Sequence, residues 1–349
     1  MPSNGPIDNG YPTRASLKDI AIRAQTSVAT VSRVLNNSGY SSEEVRQRVL
    51  EAVADLNYQP NLRARGLRQQ RSHTVGLLIP NLLNAYYTAL ADDISQLLND
   101  CGCQLLLSST RDDPKIEQAV FRQMVGHDVD GLIWVPTQGE KKLLDTLISR
   151  RIPAVSIVRQ VEGNRLDTIV FEDFAGARAA TRHLLQLGHR RIGFIGGDVS
   201  YSSNHDRWQG YLKAMEEAGL AAAPELVRLG RLRGDWGSIA SDEQLRLSNP
   251  PTALFVASNA IMPGVMKALR QHELSIPEDI SLICFDDLDW FTFSRPPISA
   301  VSTSHYRLAE SAVDLLLQRV QTPADLDKPP VFMQINFDLI LRASTATPK

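Results

Sequence analysis

The chain has 349 residues, a formal net charge of −2, and 43% hydrophobic and 22% charged residues. That length exceeds one ordinary core and calls for a small domain plus one or two larger ones. The apolar content is ordinary for a globular protein, and no apolar run reaches the ~18 residues that a membrane-spanning helix needs.

The near-neutral total hides an asymmetry, because residues 15–71 carry nine Lys/Arg and five Asp/Glu. A basic segment on an acidic body suits local attraction to phosphate without a globally adhesive surface. Residues 1–14, MPSNGPIDNGYPTR, lack the basic start and apolar stretch of a signal peptide, and their Pro, Gly and Asn predict a disordered leader.

Residues 15–36 read as a helix-turn-helix. The first helix is predicted from about Leu17 to Ala24, capped by Ser16, with Ile20, Ala21 and Ala24 on one buried stripe. Gln25-Thr26-Ser27 makes the turn, and Ser27 carries the side-chain oxygen that an N-cap needs. The second helix, Val28 to about Leu35, points Val31, Val34 and Leu35 inward and leaves Val28, Ala29, Ser32 and Arg33 outward. In such a motif the early residues of the second helix enter the major groove of DNA. A third helix from about Glu43 to Leu56 completes the core with Val45, Val49, Ala52, Val53 and Leu56. The stretch 61–71 then holds Arg63, Arg65, Arg68 and Arg71 with no acid, so phosphate would offset the entropy of ordering it.

From Thr74 onward, apolar strands alternate with amphipathic helices: strands at 75–79, 104–107, 131–135, 154–157, 168–171, 191–196, 253–257 and 281–285, and helices at 86–100, 114–125, 141–150, 175–187, 206–219 and 261–272. This pattern predicts parallel sheets covered by helices on both faces, and about a dozen strands imply two subdomains.

Signals for catalysis are weak. Asp286-Asp287 are adjacent rather than a facing acid/base pair, and Gly196-Gly197-Asp198 has neither the dinucleotide-binding nor the P-loop spacing. His189 and His205 lack metal-spaced partners, and the odd set Cys101, Cys103 and Cys284 reads as reduced thiols. No catalytic residue, metal or cofactor is expected. A small-molecule cleft has more support, since open α/β sheets bind ligands at the carboxyl ends of their strands, where Arg207 and Asp286 are expected.

The segment Lys18-Asp19-Ile20-Ala21, Ser27 to Asn36, Leu56-Asn57-Tyr58-Gln59-Pro60-Asn61 and Ala64-Arg65-Gly66-Leu67 resembles the headpiece of lactose/galactose-type repressors, the LacI/GalR family. The body resembles the periplasmic sugar-binding-protein fold of the same family through Ile79-Pro80-Asn81, Asp130-Gly131-Leu132-Ile133, Leu187 to Ile192, Gly196-Gly197, Arg207 with Gly210-Tyr211, and Ile276 to Ser281. The resemblance spans about residues 15–341. It implies a three-helix helix-turn-helix headpiece and an α/β periplasmic-binding-protein-like body of two doubly wound parallel-sheet subdomains. The expected boundaries are 15–59 for the DNA-binding domain, 60–72 for a hinge helix and 73–349 for the body. Within the body, an N-subdomain takes about 73–173 and 304–330, and a C-subdomain 174–303 and 331–341.

The resemblance further implies a cytoplasmic transcriptional regulator, a repressor, binding a pseudo-palindromic operator as a homodimer under control of a sugar-like effector. Ser27, Val28, Ala29, Thr30, Ser32, Arg33 and Asn36 would face DNA, Arg65 and Arg68 would meet phosphates, and Leu67 would wedge into the minor groove. Residues matching Arg207 and Asp286 hold effector groups in the family, and those matching Tyr86 and Tyr87 line the near wall; Ser203, Ser258 and Trp290 join them as candidates. This chain has Ser258-Asn259 where many members have Asn-Asp, Cys284 for a common glycine, Glu172-Asp173 where Asp-Asn is usual, and Leu62-Arg63 for the small or aliphatic residues that pair the two hinge helices. The tail after Arg342 has no heptad pattern, which favours a dimer over a tetramer. The rival reading, a transport solute-binding protein, predicts a signal peptide and no headpiece.

Overall fold

The computed structural model describes residues 15–35, 38–58, 71–138, 141–161, 163 and 165–349, which divide at Ser72 and His73 into two compact units. The predicted leader, Asn36 and the hinge residues Arg65, Leu67 and Arg68 lie outside the described residues.

The first unit contains α1 (Leu17–Arg23), α2 (Val28–Leu35) and α3 (Glu43–Asp55). Ser16 and Asp19 form a reciprocal capping box that starts α1, satisfying amides that the helix itself leaves unpaired. Gln25, at φ 51°, reverses the chain between α1 and α2, and the Thr30 amide donates to Ser27 Oγ at 3.1 Å. Ile20, Ala21, Ala24, Val31, Val34, Val49 and Ala52 form a closed core with Leu35, Val45, Val53 and Leu56 against it, so one apolar stripe per helix suffices.

The second unit holds two six-stranded sheets. Sheet one runs β11-β5-β4-β3-β1-β2, with β1 (Thr74–Ile79), β2 (Gln104–Ser109), β3 (Gly131–Trp134), β4 (Ala154–Ile157), β5 (Asp167–Phe171) and β11 (Phe332–Ile335) all parallel. Sheet two runs β12-β10-β9-β8-β6-β7, with β6 (Ile192–Gly197), β7 (Val227–Gly230), β8 (Ala253–Val256), β9 (Ser281–Phe285) and β10 (Ser299–Thr303) parallel and β12 (Phe337–Ile340) an antiparallel edge. Both sheets therefore share one strand order, a likeness that no internal sequence repeat reveals.

The strands are continuous apolar runs because both faces are covered. In sheet one, Leu77 and Ile133 pack with α4 (Ala85–Asp100) and α12 (His305–Gln321). Leu78 and Trp134 pack on the other face with α5 (Pro114–Gly126) and α6 (Lys141–Ser149). Sheet two lies between α7 (Asp173–Gln186) with α8 (Ser202–Glu217) and α9 (Gly234–Leu245) with α10 (Met262–Gln271); the short α11 (Asp289–Phe293) follows β9.

The structure adds β10, β12, α11 and α12 to the elements read from the sequence, and three further features differ. Residues 332–335 belong to sheet one, not to the C-subdomain, because β11 extends β5 in parallel register before the chain crosses at Asn336 into β12. Arg207 does not open its helix: α8 starts five residues earlier, at Ser202. The pair β7 and α9 between the predicted helix 206–219 and strand 253–257 escaped prediction, since α9 is built from small and polar residues with little apolar periodicity.

Candidate functional site

The exposed face of α2 is formed by the residues its amphipathic pattern excludes from the core. Ser27, Val28, Ala29 and Arg33 are exposed, while Thr30 and Ser32 are half-buried beside the buried Val31 and Val34. The Ser27 and Thr30 hydroxyls lie 2.9 Å apart, fixing the first turn of α2. Small side chains followed by one long cation leave room for close approach of a second surface.

The candidate cleft residues of the body lie at the carboxyl ends of the strands. Tyr86 and Tyr87 sit on the first turn of α4, after β1; Ser203 and Arg207 sit on α8, after β6; Ser258 follows β8 and Asp286 follows β9. All are buried except for 3–7% of their surface. Asp286 takes a left-handed backbone conformation, φ 68°, where the chain leaves β9.

Arg207 pairs first with Asp173, which sequence reasoning had singled out only as a departure from the family. Its Nε donates to Asp173 Oδ1 at 2.7 Å and its Nη1 to the Ala257 carbonyl at 2.8 Å. Its Nη2 stands 3.7 Å from Asp286 Oδ1, outside hydrogen-bond range, and the guanidinium carbon lies 3.7 Å over the Phe285 ring. Gly210 makes the pairing reachable: a Cβ there would come within 2.3 Å of the Phe174 carbonyl oxygen, so α7 and α8 touch at this point. Asp286 Oδ2 accepts from Asn259 Nδ2 at 2.9 Å, and Oδ1 from Thr303 Oγ1 at 3.3 Å. Burial pushes the Asp173 carboxyl up to about 6 despite Arg207, with Asp286 and Asp206 adding to the rise.

On the opposite wall, burial and then the Asp286 charge raise Tyr86 well above its usual value, and burial pushes Tyr87 up to about 12. The Tyr86 hydroxyl is buried without a hydrogen-bond partner, while its ring packs edge-on to Tyr87, Phe171 and His305. Beside them, buried Arg159 donates to Asp112 at 2.6 Å and to the Pro136 carbonyl at 3.0 Å, and lies over the Tyr201 ring. Buried Glu117 holds that loop in place by accepting from Trp134 Nε1 and the Thr137 amide and hydroxyl. The two walls meet where the Gln160 amide donates to Ser202 Oγ at 2.9 Å.

The remaining candidates are less central. Ser258 Oγ accepts from the Ala260 amide at 3.3 Å, and half-buried Trp290 packs edge-on to Phe291 against the core of sheet two. Asp287 turns away into an ion pair with Arg342, and His189 is a core residue bonded to Thr252 and the Ala346 carbonyl. Arg159 and Phe285 were missed, and Asp173 and Asn259 were noted only as departures from the family, because each acquires its role from a partner far away in sequence. Among the described residues, no group of His, Cys, Asp or Glu could hold a metal, and no helix is long and apolar enough to cross a membrane.

Residues 16–61 match the family model of bacterial regulatory proteins, lacI family, and residues 181–345 match that of a periplasmic binding protein-like domain. The ribose operon repressor of Haemophilus influenzae is 32% identical over 310 residues, covering 88% of this chain and 93% of that protein. Among solved structures, the lac repressor dimer bound to operator and the anti-inducer ONPF aligns with a TM-score of 0.85 and 25% identity, over 96% of this chain and all of that one. The complex of the transcriptional regulator CelR with cellobiose aligns with a TM-score of 0.71 and 26% identity, over 95% of this chain and all of that one. With a relative this similar along nearly its whole length and a matching headpiece, the chain belongs to the lacI family of bacterial regulatory proteins.

Proposed function

We infer that the protein is a cytoplasmic transcriptional repressor that binds a pseudo-palindromic operator as a homodimer and is controlled by a sugar-like effector held in the body cleft. The observation that carries this reading is the presence, in one chain, of an outward-facing second helix of small residues and a cleft holding a buried, unpartnered tyrosine hydroxyl. A buried polar group without a partner is costly, so the Tyr86 hydroxyl marks where a ligand group would dock.

In this reading Arg33 contacts a guanine edge, Val28 and Ala29 sit against thymine methyls, and Ser27, Thr30, Ser32 and Asn36 fill the groove and its phosphate rim. Arg65 and Arg68 neutralise phosphates, and Leu67 inserts into the central minor-groove step. In the cleft, Tyr86, Tyr87 and Trp290 offer aromatic faces to a sugar ring, and Ser203, Ser258, Arg207 and Asp286 bond its hydroxyls.

Support for coupling comes from where the charged cluster lies. The chain passes between sheets at Glu172, Ser304 and Asn336, and Asp173 and Thr303 flank two of these passages. A ligand that favours one arrangement of the lobes shifts the population toward it, whereas equal affinity for both shifts nothing. Fluorescence anisotropy with a symmetric labelled operator, with and without a sugar panel, tests the reading. Absence of saturable, salt-sensitive operator binding overturns the repressor assignment.

A further inference from the structure

The charged side chains of the cleft do not balance. Arg159 is matched by Asp112 at 2.6 Å, whereas the single cation Arg207 faces two buried carboxylates, Asp173 at 2.7 Å and Asp286 at 3.7 Å. Asp206 adds negative potential at Asp173. The Arg207 Nε and one Nη1 proton are already committed, to Asp173 and to the Ala257 carbonyl. Nη2 and Asp286 Oδ1 stand 3.7 Å apart, a gap that one hydroxyl can bridge by accepting from the guanidinium and donating to the carboxylate. A carboxylate or phosphate has no proton to donate there, and it would add charge to a buried cluster that already holds one negative charge in excess.

We propose that this cleft takes a neutral or amine-bearing polyol and rejects acidic and phosphorylated sugars, with Asp173 as the residue that sets this charge preference. The inference rests on the effector-controlled repressor reading and deepens it. Asp173 acts in two ways: it occupies the Arg207 Nε edge that would otherwise grip an anion, and it supplies the excess negative charge. An ammonium group on the ligand gains from the same excess, so amino sugars fall on the accepted side.

The test uses the full-length protein and matched pairs, with binding read by calorimetry at pH 7.5: D-glucose, D-glucosamine, D-glucuronate and glucose 6-phosphate; D-galactose and D-galacturonate; D-ribose and ribose 5-phosphate. In every set that binds, the neutral or amino member should bind at least tenfold more tightly than its anionic counterpart. Asp173→Asn should narrow that ratio by about tenfold, because the amide still accepts from Arg207 but carries no charge. An anionic member that binds as tightly as its neutral partner overturns the proposal, as does a panel in which no neutral or amino member binds. An unchanged ratio in a folded D173N variant removes Asp173 from the role, and if D173N fails to fold, the wild-type ratios alone decide. Operator binding by the wild type, read separately by anisotropy, shows whether a failure belongs to this proposal or to the repressor reading beneath it.

Discussion

Replacing Arg207 with alanine tests whether the cleft ion pair is a working balance or a decoration. Asp173 is 2% exposed, and its partner donates at 2.7 Å, so truncation strands a buried carboxylate. Breaking a buried pair on one side costs about 3–5 kcal/mol. The stacking of the guanidinium on Phe285 overlaps with that figure, at about 0.5–2 kcal/mol. Removing the stranded charge as well should recover about 2 kcal/mol, so the double variant R207A/D173N should be more stable than R207A alone. Urea unfolding followed by tryptophan fluorescence reads this cleanly, because Trp134, Trp208, Trp236 and Trp290 all lie in the body. A loss below about 1 kcal/mol for R207A, or a double variant less stable than R207A, refutes the reasoning, since Asp173 would then be solvated or held by other groups.

The titration of Asp173 makes a second prediction. Its carboxyl is raised to about 6 in the fold, so the native state holds that proton more tightly than the unfolded chain, and the group's contribution is fullest below about pH 4 and declines as pH rises through 6. Relative to D173N, wild-type stability should fall across that window by at most about 1.4 kcal/mol per pH unit; a parallel pair of profiles contradicts it. Tyr86→Phe removes an unpartnered buried hydroxyl, so the ligand-free body should gain about 1–3 kcal/mol while effector affinity drops, as thermal melts with and without a binding sugar will report. Arg33→Ala should cost about 1–3 kcal/mol on the best operator and relax one base preference per half-site, measured by anisotropy against single-base variants of that operator. Leu67→Ala should reduce the operator bend seen by gel phasing, and loss of Arg65 or Arg68 should flatten the salt dependence without changing base preference.

The headpiece was legible almost residue by residue because its information is local. Helix caps, a short turn and a stripe at i, i+1 and i+4 act within a few residues, and Ile20, Val31, Val34 and Val49 duly meet in one core. The alternation of strands and helices likewise announced two parallel sheets. What local pattern could not carry was partner choice. Asp173 and Arg207 are 34 positions apart, and only the close approach of α7 and α8 at Gly210 brings them together. The same limit explains β11: nothing local in Phe332–Ile335 names its partner, which proves to be β5 in parallel register. Helix α9 escaped because its small residues pack by proximity rather than by an apolar stripe.

Because the chain passes between the lobes three times, neither lobe is a continuous stretch of sequence. Sheet one waits for β11 at 332–335, sheet two waits for β12 at 337–340, and the Ser344 carbonyl and hydroxyl tie down β9 and the start of β10. On the ribosome, where domains mature from the N-terminus onward, the helices up to residue 55 can close their small core long before either sheet has its last strand. The DNA-facing helices are thus finished first, and the cleft that would govern them only when the final residues emerge. A nascent or 3′-truncated product that stops short of residue 332 would carry a complete helix-turn-helix and two lobes each lacking an edge strand, a species that could occupy DNA without being able to answer to a ligand.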